Sequence, residues 1–578
     1  MKKFLSVLLC AALLAAMPGI AAFSAGPEDE PLAEPLAEAF AGPPAETFAG
    51  PLAETPAGPP AAAPPCDCEA VPVILLSGGH GALTENYGQP DEMWYYGTDM
   101  LSNLLRDGLP VLRDDVLPSL LTFDLSKILD ALLRVAWAWV GPLEMLPDGT
   151  SVKQLERINE GGPWVMSMDH RDAYYWSSEE VPVGEAYYRF PFDWRQSPYD
   201  VAEELNDYVQ MIKAHTGHAH VHISSISGSS SPLLAYTEKY IVGVNDPDAL
   251  SVVYNQPTAF GMELVGNFLN ADYSMNPRNA GAFDYIYTLD LPSQANDIIL
   301  TLMRVFYYLG FLNNTAFGFS LWTQAVFDRI YEDVTRRTYA AWPGMWSWCP
   351  PEDFDTARAR LIDGHPEYAQ LGFLEKIDRY HALQLRGAEV LRAAGDKIKV
   401  AVVVGYDMGL LPLGKDKHYN SDGMVAAQKA SLGAVVAPLG KRLPAGYTQA
   451  VDDGHGRISP DRKIDASTCA LPEYTWFVKD MVHRDFYHLH NLYNWWRTAP
   501  KGEDTVSDNP EYPQFMRLED KAQTNRNSVL LPMTAEEPTW KDGIMDAWDT
   551  VMRFLFGVLE WVAVILRIPL GWIFKIWF

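Results

Sequence analysis

The sequence is poor in cations. Lys and Arg number 45 against 74 Asp and Glu, for a formal net charge of −29 at pH 7. Such a field repels a phosphate backbone, so nucleic acid is excluded as an expected partner. Cysteine is scarce as well, with five in 578 residues. Cys10 lies in the N-terminal apolar run, leaving Cys66, Cys68, Cys349 and Cys469, for which spacing alone defines no pairing. Cys66-Asp67-Cys68 is too small a set for a metal site. The C-terminal tail lacks an uninterrupted apolar run of about 20 residues, so a simple spanning helix is not expected there. What is abundant is aromatic and apolar: 48% of residues are hydrophobic and 18 are Trp.

The ends of the chain differ from its middle. Lys2 and Lys3 precede an apolar run from Phe4 to Ala16 and small residues around Ala21–Ala25. This is the pattern of a secretory signal peptide over 1–25, and it implies an exported protein, extracellular or attached to the outer face of the membrane. Residues 26–65 repeat Pro-Leu-Ala-Glu and Phe-Ala-Gly-Pro units. That composition buries too little surface to offset its chain entropy, and predicts a disordered tether. Within the tail, 543–578, the charges Asp546, Asp549, Arg553, Glu560 and Arg567 fall on one helical stripe, with apolar residues elsewhere. A helix lying in a membrane interface and anchored by Trp is expected.

Between these ends the pattern is that of alternating strands and helices. Ala70–Leu76 and Lys397–Tyr406 are continuous apolar runs, as in strands buried in a parallel sheet. Val201–His215 has the period of an amphipathic helix. The central stretch is His220-Val-His-Ile-Ser-Ser-Ile-Ser-Gly-Ser-Ser-Ser231 followed by Leu233, Leu234, Ala235 and Tyr236. A strand, a turn of very small residues and a helix form the device that exposes a nucleophilic serine above a sheet. Ser227 takes the nucleophile position, with Ser225 and Ser229 where the pattern usually has glycine. A Cβ at those two places is expected to strain the turn. Ser77-Gly-Gly-His-Gly81 closes the first core strand, and its Gly79 N–H, with that of Gly228, is the expected oxyanion hole.

An acid and a base are then needed in the order Ser, Asp, His. Asp422, in Ser421-Asp422-Gly423 after the Lys397–Tyr406 strand, is the expected acid, with Asp416 its local competitor. His483, just past the short apolar strand Tyr474–Val478, is the expected base, with His488, His490 and His455 as rivals. His215, His218, His220 and His222 lack an acidic or Cys partner at ligand spacing, so no metal is expected.

Several of these segments together resemble the lecithin–cholesterol acyltransferase-like lipases. The likeness is carried by Pro72-Val-Ile-Leu75 with its glycine turn, Phe192-Asp-Trp-Arg195, Thr216-Gly-His218 and the serine turn ending in Ala235–Tyr240. It continues through Pro343-Gly-Met-Trp346, Ser421-Asp-Gly-Met-Val425 and Thr475-Trp-Phe477 onward to His483. The resemblance implies an α/β-hydrolase fold: a mostly parallel sheet with helices on both faces and an inserted helical cap. It implies hydrolysis of a lipid ester or acyl transfer without a cofactor. The corresponding division is a core over 66–291 and 396–495, a Trp- and Tyr-rich cap over 292–395 and an irregular linker over 496–542. The serine-substituted turn leaves an alternative open, an inactive hydrolase fold that binds lipid or a surface.

Overall fold

A computed structural model describes residues 65–66, 71–76, 83–85, 93–94, single positions between 111 and 140, 141–153, 155–157, 164–165, 187–270, 329, 331–370, 372–410, 419–483, 489–519 and 529–534. The signal peptide, nearly all of the tether, Gly79 and its turn, Cys68, Asp416, His488 and the tail lie outside the described residues, as does the cap segment before Arg329.

A nine-stranded sheet organises the molecule. Its strands are β1 (Val73–Leu76), β2 (Trp164–Val165), β3 (Tyr187–Phe190), β4 (Val221–Ile226), β5 (Ala249–Asn255), β6 (Lys399–Tyr406), β7 (Thr475–Lys479), β8 (Phe515–Leu518) and β9 (Leu530–Pro532). In space they run β9-β8-β7-β6-β5-β4-β1-β3-β2. All neighbours pair in parallel except the two edges, where β2 meets β3 and β9 meets β8 antiparallel. This is an α/β fold. The continuous Val-rich run of β6 follows from its place in the middle, where both faces are covered.

Helices cover the two faces. Side chains of alternate parity (Ile74, Ile223, Val252, Val402, Val404) join the larger core with α1 (Pro198–Thr216), α2 (Ser230–Tyr236), α3 (Glu263–Leu269), α4 (Pro351–Leu361), α5 (Phe373–Leu385) and α6 (Gly387–Gly395). Val73, Leu75, Ile226, Val253, Val403 and Val478 form the second core with α7 (His490–Thr498). The α1 boundaries are local chemistry. Pro198 opens it without wasting an N–H, and Gly217 at φ 74° closes it.

Two expectations change. The segment 496–542 is not an irregular linker throughout, since it contributes β8 and β9 to the main sheet. These are the last two strands at one side of the sheet, four and three residues long, too short to print a period among their polar neighbours. The described cap residues also do not stand apart: Trp346, Trp348, Tyr380, Leu383 and Leu391 share the core of the sheet's helical face. Among the described residues no helix is long and apolar enough to cross a membrane.

The register places the site. Leu76 lies level with Phe190 on one side and Ser225 on the other, and Ile226 lies level with Asn255. Chain order reverses direction around β1, since β3 lies on one side of it and β4 on the other. The carboxyl edge beside such a reversal is the customary ligand crevice of an open α/β sheet. Four successive parallel strands leave the sheet there through non-glycine residues in the left-handed region: Ser227 (φ 52°), Gln256 (φ 45°), Asp407 (φ 76°) and Asp480 (φ 61°). Backbone held in this region stores strain that surrounding contacts must overcome.

Candidate active site

Ser227 is the first residue after β4 and opens a short 3-10 turn that runs into α2. Asp422 follows the short strand Asn420–Ser421, which pairs with Met408–Gly409 just past β6. His483 comes four residues after β7. Three distant parts of the chain thus meet at one edge of the sheet. Ser227 Oγ is 2.7 Å from His483 Nε2, and His483 Nδ1 is 2.8 Å from Asp422 Oδ2. All three are buried, at 1%, 0% and 1% exposure.

The contacts define the imidazole tautomer. Asp422 accepts at Oδ1 from the Met424 and Val425 N–H groups at 2.9 and 2.8 Å, which holds its carboxylate in place. Its other oxygen faces Nδ1, so the ring proton belongs there, and Nε2 is left to accept from the Ser227 hydroxyl. A backbone bond from His483 N to Asp422 O at 2.8 Å fixes the two loops to each other. Gly405 in β6 makes room for them. A Cβ there would stand 2.4 Å from Met481 O and 2.9 Å from Asp422 Cβ.

The serines around Ser227 make hydrogen bonds of their own. Ser229 Oγ accepts from Ile226 N at 2.9 Å and lies 2.6 Å from Leu76 O and 2.7 Å from Ile226 O, to one of which it donates. It therefore ties the exit of β1 to the elbow. Ser225 Oγ donates to Val253 O at 3.1 Å, and Ser224 Oγ accepts from Arg497 Nη2 at 2.7 Å. Ser230 Oγ donates to Ser227 O at 2.5 Å and accepts from Thr258 N and Ala259 N at 3.0 Å each. These hydroxyls bond buried backbone groups, a role the local pattern did not show, while the left-handed backbone of the turn lies at Ser227.

Gly228 stands directly behind Ser227, covered by Trp348. The indole Nε1 donates to Gly228 O at 3.2 Å, and a Cβ on Gly228 would meet the ring at 2.6 Å. Trp348 in turn stacks on Trp194, with ring centroids 6.2 Å apart. Trp194 belongs to the Asp193-Trp-Arg195 turn, where the Arg195 guanidinium donates twice to Asp193, at 2.9 and 2.7 Å, and to Leu143 O at 3.2 Å, and the Arg195 N–H donates to Asp193 at 3.0 Å. That buried pair holds the aromatic turn at the end of β3. The other oxyanion candidate, Gly79, lies outside the described residues.

The remaining candidates separate. His455 is exposed on a loop and His490 begins α7. His222 Nδ1 lies 2.7 Å from Ser251 Oγ, and burial first, then Arg497 and Lys399, pushes its pKa down to about 3. His215 packs edge-on against Tyr188. Among the described residues no three His, Cys, Asp or Glu gather as metal ligands. Among the described residues Cys349 and Cys469 are free thiols. Burial raises the Cys349 thiol far above its ordinary range and that of Cys469 to about 12. Such thiols stay protonated at neutral pH and make poor nucleophiles.

Two functional candidates escaped the sequence reading. Gln256 donates from Nε2 to Val482 O at 2.7 Å, beside His483. Its signal was a polar pair, Asn255-Gln256, ending an apolar strand before Pro257. Glu263, 4% exposed, accepts from Ala426 N at 3.3 Å beyond the Asp422 turn, and burial above all lifts its pKa to about 7.

No protein-family model matches the chain, and none of the curated proteins matches it in sequence.

Proposed function

We propose that this chain is a serine hydrolase of the α/β-hydrolase fold that cleaves lipid esters or transfers their acyl groups. The reading rests on the unbroken chain of hydrogen bonds from Ser227 Oγ through His483 to Asp422, with Ser227 held at φ 52° at the end of a central parallel strand. Ordinary packing gives no reason for a serine in the left-handed region to face an imidazole whose far nitrogen faces a buried carboxylate. That combination is what nucleophile activation requires.

The steps follow from the contacts. Ser227 Oγ attacks the ester carbonyl carbon as His483 Nε2 removes its proton. Asp422 stabilises the imidazolium and keeps the ring oriented. The carbonyl oxygen, now negative, takes hydrogen bonds from the Gly228 N–H and, by the sequence pattern, that of Gly79. Donors arranged in this way typically lower a barrier by about 3 kcal/mol each. The imidazolium returns its proton to the departing alcohol oxygen and an acyl-Ser227 ester remains. Water or an acceptor alcohol then attacks that ester by the same steps in reverse.

The lipid character of the substrate is supported by the Trp348–Trp194 stack against the nucleophile turn and by the family resemblance of Phe192-Asp-Trp-Arg195. Export and attachment to a membrane surface belong to the same proposal and rest on 1–25 and 543–578 as sequence. The test is hydrolysis of p-nitrophenyl butyrate by the purified chain. Wild type is expected to turn over, and Ser227→Ala to lose at least about a thousandfold in kcat. A folded wild-type chain with no turnover on any ester would leave the inactive, surface-binding alternative.

A further inference from the structure

Gln256 has the features of a residue kept in a costly position by its contacts. It is fully buried, at 0% exposure, and takes φ 45° immediately before Pro257. A residue before proline is already restricted, and an L side chain in the left-handed region adds strain. Its backbone N–H donates to Val403 O at 2.8 Å, which locks it to β6. Its side chain then crosses toward β7, and Nε2 donates to Val482 O at 2.7 Å.

Val482 O and His483 N are the two polar atoms of one peptide unit. Gln256 holds that unit by its oxygen. Asp422 O holds it by its nitrogen, at 2.8 Å. A peptide plane held on opposite edges resists rotation, which fixes the N–Cα bond from which the His483 side chain springs. The same loop grips the nucleophile, because Thr258 and Ala259 donate to Ser230 Oγ, which donates to Ser227 O. The segment 256–259 is thus a brace joined at one end to the serine turn and at the other to the base.

We propose that Gln256 is a positioning residue that sets the separation of Ser227 Oγ and His483 Nε2. This rests on the serine-hydrolase reading. Gln256 does not touch the reacting atoms. It acts through the Val482–His483 peptide, and its effect is confined to the proton-transfer geometry. Misplacement of a base by about 1 Å lowers rates by as much as about a hundredfold.

The experiment measures kcat, KM and thermal midpoint on p-nitrophenyl butyrate for wild type, Gln256→Met and Gln256→Glu. Met keeps length and volume. Glu keeps the shape and replaces the amide N–H donors with a carboxyl, which places a negative charge against Val482 O when ionised. Both variants are expected to lose roughly 10- to 100-fold in kcat with KM within about twofold of wild type. A folded variant with wild-type kcat overturns the proposal, and so does a loss confined to KM. If Gln256→Met fails to fold, Gln256→Glu decides by the same criteria. If neither variant folds, Gln256 is a stability residue and the proposal falls. Absence of turnover in wild type marks failure of the hydrolase reading itself, a distinct result.

Discussion

Replacing Ser229 tests whether the serine-rich elbow is held by hydrogen bonds or merely tolerates them. In Ser229→Ala the Ile226 N–H loses its acceptor at 2.9 Å, and the carbonyls of Leu76 and Ile226 lose the hydroxyl that lies 2.6 and 2.7 Å away. Ser229 is 0% exposed, so water does not replace these contacts. Each buried backbone group left unpaired costs about 1–3 kcal/mol, and a hydroxyl has only one proton to give, so two groups are orphaned and the loss is about 3 kcal/mol. In a cooperative unit of this size that lowers the thermal midpoint by roughly 3–4 °C. Ser229→Gly should lose as much, although glycine is the usual residue in such elbows. Ser225→Gly removes one bond to a carbonyl and should lose about 1 kcal/mol. Differential scanning calorimetry of the three variants reads this order. A Ser229→Ala protein melting within 1 °C of wild type would refute the reasoning.

Other outcomes follow from the same contacts. Asp422→Asn keeps the acceptor for Met424 and Val425 while presenting an amide toward Nδ1, and its kcat should fall by roughly a thousandfold or more. The double variant Ser227→Ala with His483→Ala should be no slower than either single one, measured as residual hydrolysis of p-nitrophenyl butyrate. For Glu263, the folded pKa near 7 exceeds the ordinary 4.5, so the folded state holds a proton that the unfolded state has released. Stability therefore falls as pH rises from about 4.5 through about 7. Glu263→Gln removes that loss, with a gain over wild type near zero at pH 4.5 and about 3 kcal/mol at pH 8, read from melting at the two pH values. Ending the chain before Gly543 should release the protein from membranes and keep turnover of a water-soluble ester. Misfolding of that truncated chain would show that the tail belongs to the core.

The strands β1, β6 and β7 were legible because burial on both faces writes itself as apolar runs, most plainly in Lys399–Tyr406. The serine position was legible because a strand, a turn of tiny residues and a helix leave few alternatives. Asp422 and His483 were legible by their order and by the resemblance. Other parts depend on tertiary contacts that no local pattern carries. Ser225 and Ser229 read as strain because the carbonyls beside their hydroxyls, Val253 O and Leu76 O, come from other strands. Gln256 reads as an ordinary strand end until β7 brings Val482 alongside, 226 residues later. The short strands β8 and β9 offer too few residues for a period. The described part of the expected cap shares the sheet's own core because Trp348 and Tyr380 reach the nucleophile turn and the 256–259 loop: Trp348 bonds to Gly228, and Tyr380 donates to Ala259 O at 3.1 Å.

The proposed function requires that His483 and Asp422 activate Ser227. Labelling the native chain with a fluorophosphonate and mapping the adduct by peptide mass spectrometry tests it most directly, because the reagent modifies only a serine whose hydroxyl is turned into a nucleophile. The expected result is one phosphonylated peptide carrying the group on Ser227, absent in Ser227→Ala and formed at least about a hundredfold more slowly in His483→Ala. A folded chain that takes no label, or one that takes it on another serine, would contradict the account.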